Sequence, residues 1–87
     1  MNELEKIALL ENRFLRGEVP LGELPLGLEP LLWQVSQGRP DERAIRKIMN
    51  DLELILFTLP ADQQAASAAR LLKDARTFIA TRVCAAD

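Results

Sequence analysis

The sequence predicts an all-α protein, a small irregular helical bundle built on a C-terminal antiparallel helical hairpin. Three observations lead there. Apolar residues recur at three- and four-residue steps from Leu4 to Phe14 and again from Ile45 to Val83. Glycine or proline punctuates those runs at Gly17, Gly38 and Pro60. The 87 residues are 48% hydrophobic with a formal charge of −2, enough apolar content for a core and too little net charge for a disordered chain. A chain of this size is expected to be a single helical domain, burying only about 60–65% of the surface its unfolded state exposes.

Helix 1 is expected over residues 3–16. Leu4, Ile7, Leu10 and Phe14 form its stripe behind the capping residue Asn2. Glu3 and Glu5 lie in the first turn and Arg13 and Arg16 in the last, as the helix dipole favours, and Gly17 supplies the left-handed stop.

The connection over residues 18–29 has a different texture. Pro20, Pro25 and Pro30 fall at five-residue intervals, and Pro20-Leu21-Gly22 returns as Pro25-Leu26-Gly27. Regular helix is not expected there. The segment nevertheless carries Val19, Leu21, Leu24, Leu26 and Leu28, too apolar for a solvated loop, so it must be covered. It either folds down as a lid over the chain's own helices or forms a partner-binding surface.

A short helix 2 is expected over residues 30–37, with Pro30 in its first turn and a stop at Gly38. Trp33, the sole tryptophan, is read as a core or half-buried anchor whose indole N–H reaches a carbonyl, or else as an interface hot spot. Helix 3 is expected over residues 42–58, capped by Asp41, with Ile45, Ile48, Leu52, Ile55 and Leu59 on one stripe. Helix 4 follows Pro60 over residues 61–82 through Ala65, Ala68, Ala69, Leu72, Ala75, Ile79 and Val83. So short a break makes helices 3 and 4 an antiparallel hairpin, in which large Leu52, Ile55 and Leu56 meet small Ala65, Ala68 and Ala69.

The amino terminus lacks the basic start and apolar run of a signal peptide. No apolar stretch approaches the roughly 20 residues that span a bilayer, so membrane insertion is not expected. Cys84, the sole cysteine, allows no internal disulfide and fits a reducing compartment, and the location expected is the cytoplasm. The small size and the lack of low-complexity segments point to a bacterial or phage source.

Catalysis is not expected. Histidine and tyrosine are absent, which removes the usual general base near neutral pH and the Ser-His and Cys-His nucleophiles. The carboxylates show no metal-ligand spacing, Gly22 and Gly27 lack the Lys-Ser or Lys-Thr of a phosphate loop, and Cys84 is read as inert. No catalytic residue, cofactor or metal is assigned.

The function expected is that of a protein–protein interaction module: an adaptor, assembly factor, small chaperone, or inhibitor or regulatory subunit. It would act on a protein partner or as a homodimer through Leu21, Leu24, Leu26, Leu28, Leu32 and Trp33. The alternative is a small nucleic-acid-binding regulator using Arg43, Arg46 and Lys47 on helix 3 and Arg70 and Lys73 on helix 4. It ranks lower, because Glu42, Asp51 and Asp74 break up both clusters.

Overall fold

The computed structural model describes the backbone of residues 2–85 and the side chains of residues 2–83. Four helices carry the described residues: α1 (Glu3–Leu15), α2 (Leu24–Gln34), α3 (Arg39–Thr58) and α4 (Ala61–Ala85), with a 3₁₀ turn at Leu21–Glu23 ahead of α2. The all-α class is therefore correct.

Both ends of α1 form as the sequence indicates. The Asn2 side chain accepts the Glu5 backbone N–H at 2.8 Å, filling one of the donors a helix start leaves open. At the other end Gly17 adopts φ +79°. Its N–H bonds Phe14 O, and the Glu18 N–H reaches back to Arg13 O at 2.9 Å, the paired closure of a Schellman motif.

The α3–α4 hairpin is antiparallel, as two contacts at opposite ends establish. Arg82 near the end of α4 holds Asp41 in the first turn of α3. At the closed end Gln64 Nε2 donates toward Ile55 O, Leu56 O and Leu59 O at 3.2–3.4 Å. The last carbonyls of α3 have no partner within the helix, and this amide covers them. Leu59 takes the extended conformation that a following proline favours.

Helix α1 packs chiefly on α4, where Arg76 pairs with Glu11 at 2.8 Å. Helix α2 fills the space between α1 and α3. Among the described residues, Ile7, Leu24, Leu28, Leu32, Ile45, Leu52, Leu72 and Ile79 are the large side chains wholly withdrawn from solvent, and every helix contributes at least one. The described chain measures 40 × 25 × 17 Å. Its short dimension is that of two packed helices at about 8–10 Å between axes, so each helix keeps one face in water.

Three expectations need correction. The largest concerns residues 18–29 and the start of helix 2. The chain is helical from Leu24, with Pro25 in the first turn and Pro30 inside the helix. Leu24, Leu28, Leu31, Leu32 and Val35 lie one above another at the helical period and are all buried. Four buried leucines contribute about 1.5–3 kcal/mol each, which outweighs an interior proline at about 3 kcal/mol and a glycine at about 1 kcal/mol. The carbonyl that Pro30 leaves unbonded belongs to Leu26, and both residues are exposed. The gap in the ladder thus faces water, where its cost is least.

Helix α3 begins earlier than expected. Gly38, at φ +117°, precedes its first residue, and Pro40 is harmless in the first turn because its absent N–H would have had no partner there. Asp41 is therefore the third helical residue rather than the cap, and its carboxylate reaches back to the Gln37 N–H at 2.7 Å. On α4, Ala65 is exposed while Ala68 and Ala75 are buried. Gln64 occupies the corner in its place, and the buried stripe includes Leu71 and Phe78, which an alanine-centred stripe does not contain.

Candidate functional site

Helix α2 is apolar on two sides. Its inner face holds Leu24, Leu28, Leu31 and Leu32. On the opposite side, Pro25, Leu26, Glu29, Pro30 and Trp33 surround a shallow depression open to solvent. Leu26 is 77% exposed and Trp33 42% exposed. Residues 26, 30 and 33 recur at four- and three-residue steps, so they share one face of the helix. The Trp33 indole Nε1–H donates to the Glu29 carboxylate at 3.4 Å, one turn back. The indole N–H is thus bonded on the outer side of the helix, where the ring is partly exposed.

The six residues expected to bind a partner thus divide. Leu24, Leu28 and Leu32 are wholly buried and stand in the core, because they lie on the α2 stripe that faces the other helices. Leu21 is half-buried in the 3₁₀ turn. Leu26 and Trp33 alone remain as exposed apolar residues on the outer side. The buried three act as the expected cover, and the exposed two present a surface. Trp33 is neither deep in the core nor bonded to a backbone carbonyl, because Glu29 takes its N–H.

Pro25, expected only to interrupt regular helix, and Pro30, expected in the first turn of helix 2, complete the outer face. The signal that would have found them is the 24/28/31/32 stripe. Once those leucines are assigned to one side, helical geometry sends 26, 30 and 33 to the other.

A second exposed apolar pair, Leu54 and Phe57, lies on α3 beside Asn50 and Glu53. The basic residues of helix 3 are also on the surface. Arg43, Arg46 and Lys47 border an open depression with Arg39, shared with Glu42 and Asp51. Arg46 pairs with Glu42 at 2.7 Å, both within α3. Arg70 and Lys73 are exposed on α4 and do not line that depression.

Among the described residues, the ionic contact with least access to solvent joins Asp41 to Arg82 at 2.6 Å. The Arg82 guanidinium bonded to Asp41, aided by the Gln37 N–H, holds the Asp41 carboxyl below the ordinary carboxylate range. The same guanidinium lies 3.7 Å from the centre of the Phe78 ring, a cation–π contact that keeps it in place. This cluster ties the hairpin's open end, and both Asp41 oxygens accept a hydrogen bond, Oδ1 from Arg82 and Oδ2 from the Gln37 N–H.

Among the described residues no group of three or more Cys, Asp or Glu side chains converges as a metal site would require. No helix there is long and apolar enough to cross a membrane. The Cys84 side chain lies outside the described residues. Comparison of the chain with protein-family models, curated proteins and solved structures gave no match.

Proposed function

We propose that this chain is a non-enzymatic protein–protein interaction module of the cytoplasm, and that the outer face of α2 is where it holds another protein's apolar segment. The observation that supports this most directly is the two-sided apolarity of α2. A helix apolar all round belongs inside a structure, yet here one side, with Leu26 and Trp33, stands in water. A rigid aromatic ring, a leucine and two prolines provide apolar area that loses little side-chain entropy on being covered, the composition expected at the centre of an interface.

A photo-crosslinking amino acid in place of Leu26, with one in place of Lys73 as control, tests the reading in cells of the protein's source. The expected result is a discrete protein adduct from position 26 that position 73 does not give. The captured protein, once identified and purified, should bind the wild-type chain and fail to bind Leu26→Asp at unchanged Tm. The same adducts from both positions, or undiminished binding by Leu26→Asp, would refute it.

A further inference from the structure

We infer that the segment held on the α2 outer face is a basic amphipathic helix, an inference that rests on the reading of that face as a docking surface. Shape favours a helix. The face is a helical ridge beside a shallow depression, which accepts the side-chain rows of a second helix. Charge sets the sign. From Gly17 to Gly38 the only charged residues are Glu18, Glu23 and Glu29, with no lysine or arginine among them. Glu18 is paired with Arg16 at 3.0 Å. Neither Glu23 nor Glu29 forms an ion pair among the described residues, and both are exposed.

Glu29 borders the depression itself and sits one turn from Trp33. An arginine or lysine that approached this carboxylate would lay its aliphatic stem on Leu26 or Pro30 and bring its charge to the indole, combining an ion pair with a cation–π contact. The same position argues against a second copy of this chain as the occupant. The midpoint of the ridge from Leu26 to Trp33 falls at Glu29 and Pro30. A two-fold contact centred there would set Glu29 against its own copy, like charge against like charge.

Trp33 is the sole tryptophan, so its emission reports directly on the face. The probes are two synthetic helical peptides with the same leucine stripe, one with Lys and Arg at its polar positions and one with Glu. The expected result is a saturable blue shift with the basic peptide and an affinity at least about tenfold above that of the acidic one, a difference of about 1.4 kcal/mol. Glu23→Gln with Glu29→Gln should remove most of that preference, and Leu26→Asp should abolish binding. That last variant adds negative charge, so simple attraction of a cationic peptide would strengthen, not weaken.

Equal affinity for the two peptides, or a preference untouched by the double Gln variant, overturns the basic helix while leaving the docking face intact if Leu26→Asp still abolishes binding. No shift with either peptide, or binding that survives Leu26→Asp, overturns both. A concentration-dependent dimer by light scattering that Leu26→Asp dissolves makes a second copy the occupant and overturns the inference.

Discussion

Leu26 and Leu28 are two residues apart on α2, yet truncating them should have very different consequences. Leu28 is wholly buried and Leu26 is 77% exposed. Leu28→Ala removes three carbons from the core, about 2.4 kcal/mol of transfer free energy at about 0.8 kcal/mol per carbon. The unfilled space adds to that, which brings the total to about 3–4 kcal/mol, within the span known for buried leucines. A chain of this length is stabilised by only about 4–13 kcal/mol in all. Urea denaturation followed by far-UV circular dichroism should show the midpoint falling by about 3 M at a slope near 1 kcal/mol/M. Leu26→Ala removes the same atoms from a site already in water, where alanine is at least as good a helix former, and should shift stability by less than about 0.5 kcal/mol. Equal losses from the two variants, or tolerance of Leu28→Ala, would refute the placement of α2.

Asp41→Asn should lower the urea midpoint at neutral pH, and its deficit against wild type should shrink on acidification. The folded-state carboxyl titrates below its ordinary value because Arg82 and the Gln37 N–H favour the charged form. The unfolded chain therefore takes up the proton first, so the stabilisation is complete above about pH 4 and is lost as pH falls through the folded-state value. A deficit that stays constant with pH would contradict this. Gly17→Ala should cost about 1–2 kcal/mol by thermal melt, purely from the backbone, since no atom lies within 4 Å of where the new Cβ would stand. Gln64→Ala should cost about 1 kcal/mol, with hydrogen exchange rising in the last turn of α3; exchange unchanged there would remove Gln64 as the cap.

The parts of the fold legible in the sequence are those that local chemistry decides alone. Asn2, Gly17 and Pro60 act within a few residues of themselves, and the stripes of α1 and α3 repeat strongly enough to name Ile7, Ile45, Leu52 and Ile55 as core. Helix α2 was hidden because its local and distant preferences conflict. Gly27 and the interior Pro30 oppose a helix, and only packing against three other helices reverses the balance. The first turn of α3 is ambiguous in the sequence for a smaller reason: proline can begin a helix as easily as end one, and Gly38 rather than Asp41 marks the boundary.

The candidate site was legible only as a region. Composition showed that leucines between Val19 and Val35 required cover, but composition has no direction. Which leucines turn inward depends on the helical phase of α2, and that phase separates Leu26 from Leu24 and Leu28. Trp33 shows the same dependence, since its exposure follows from where α2 points rather than from its residue type. Gln64 carried no visible signal, because a glutamine gives no hint of the carbonyls it will meet eight or nine residues upstream.

The sparse backbone ladder of α2 bears on the order of assembly. Pro30 inside it has no N–H to give, and Gly27 loses more backbone freedom than any other residue type on becoming helical. Cut from the rest of the chain, this stretch would not cross the cost of starting a helix. The α3–α4 hairpin closes through a short loop and needs few distant contacts, so it is expected to form early. Helix α2 is then expected to wind up against a surface already present, where Gly27 packs beside Leu10 of α1, and native-state hydrogen exchange should show it as the first helix to open.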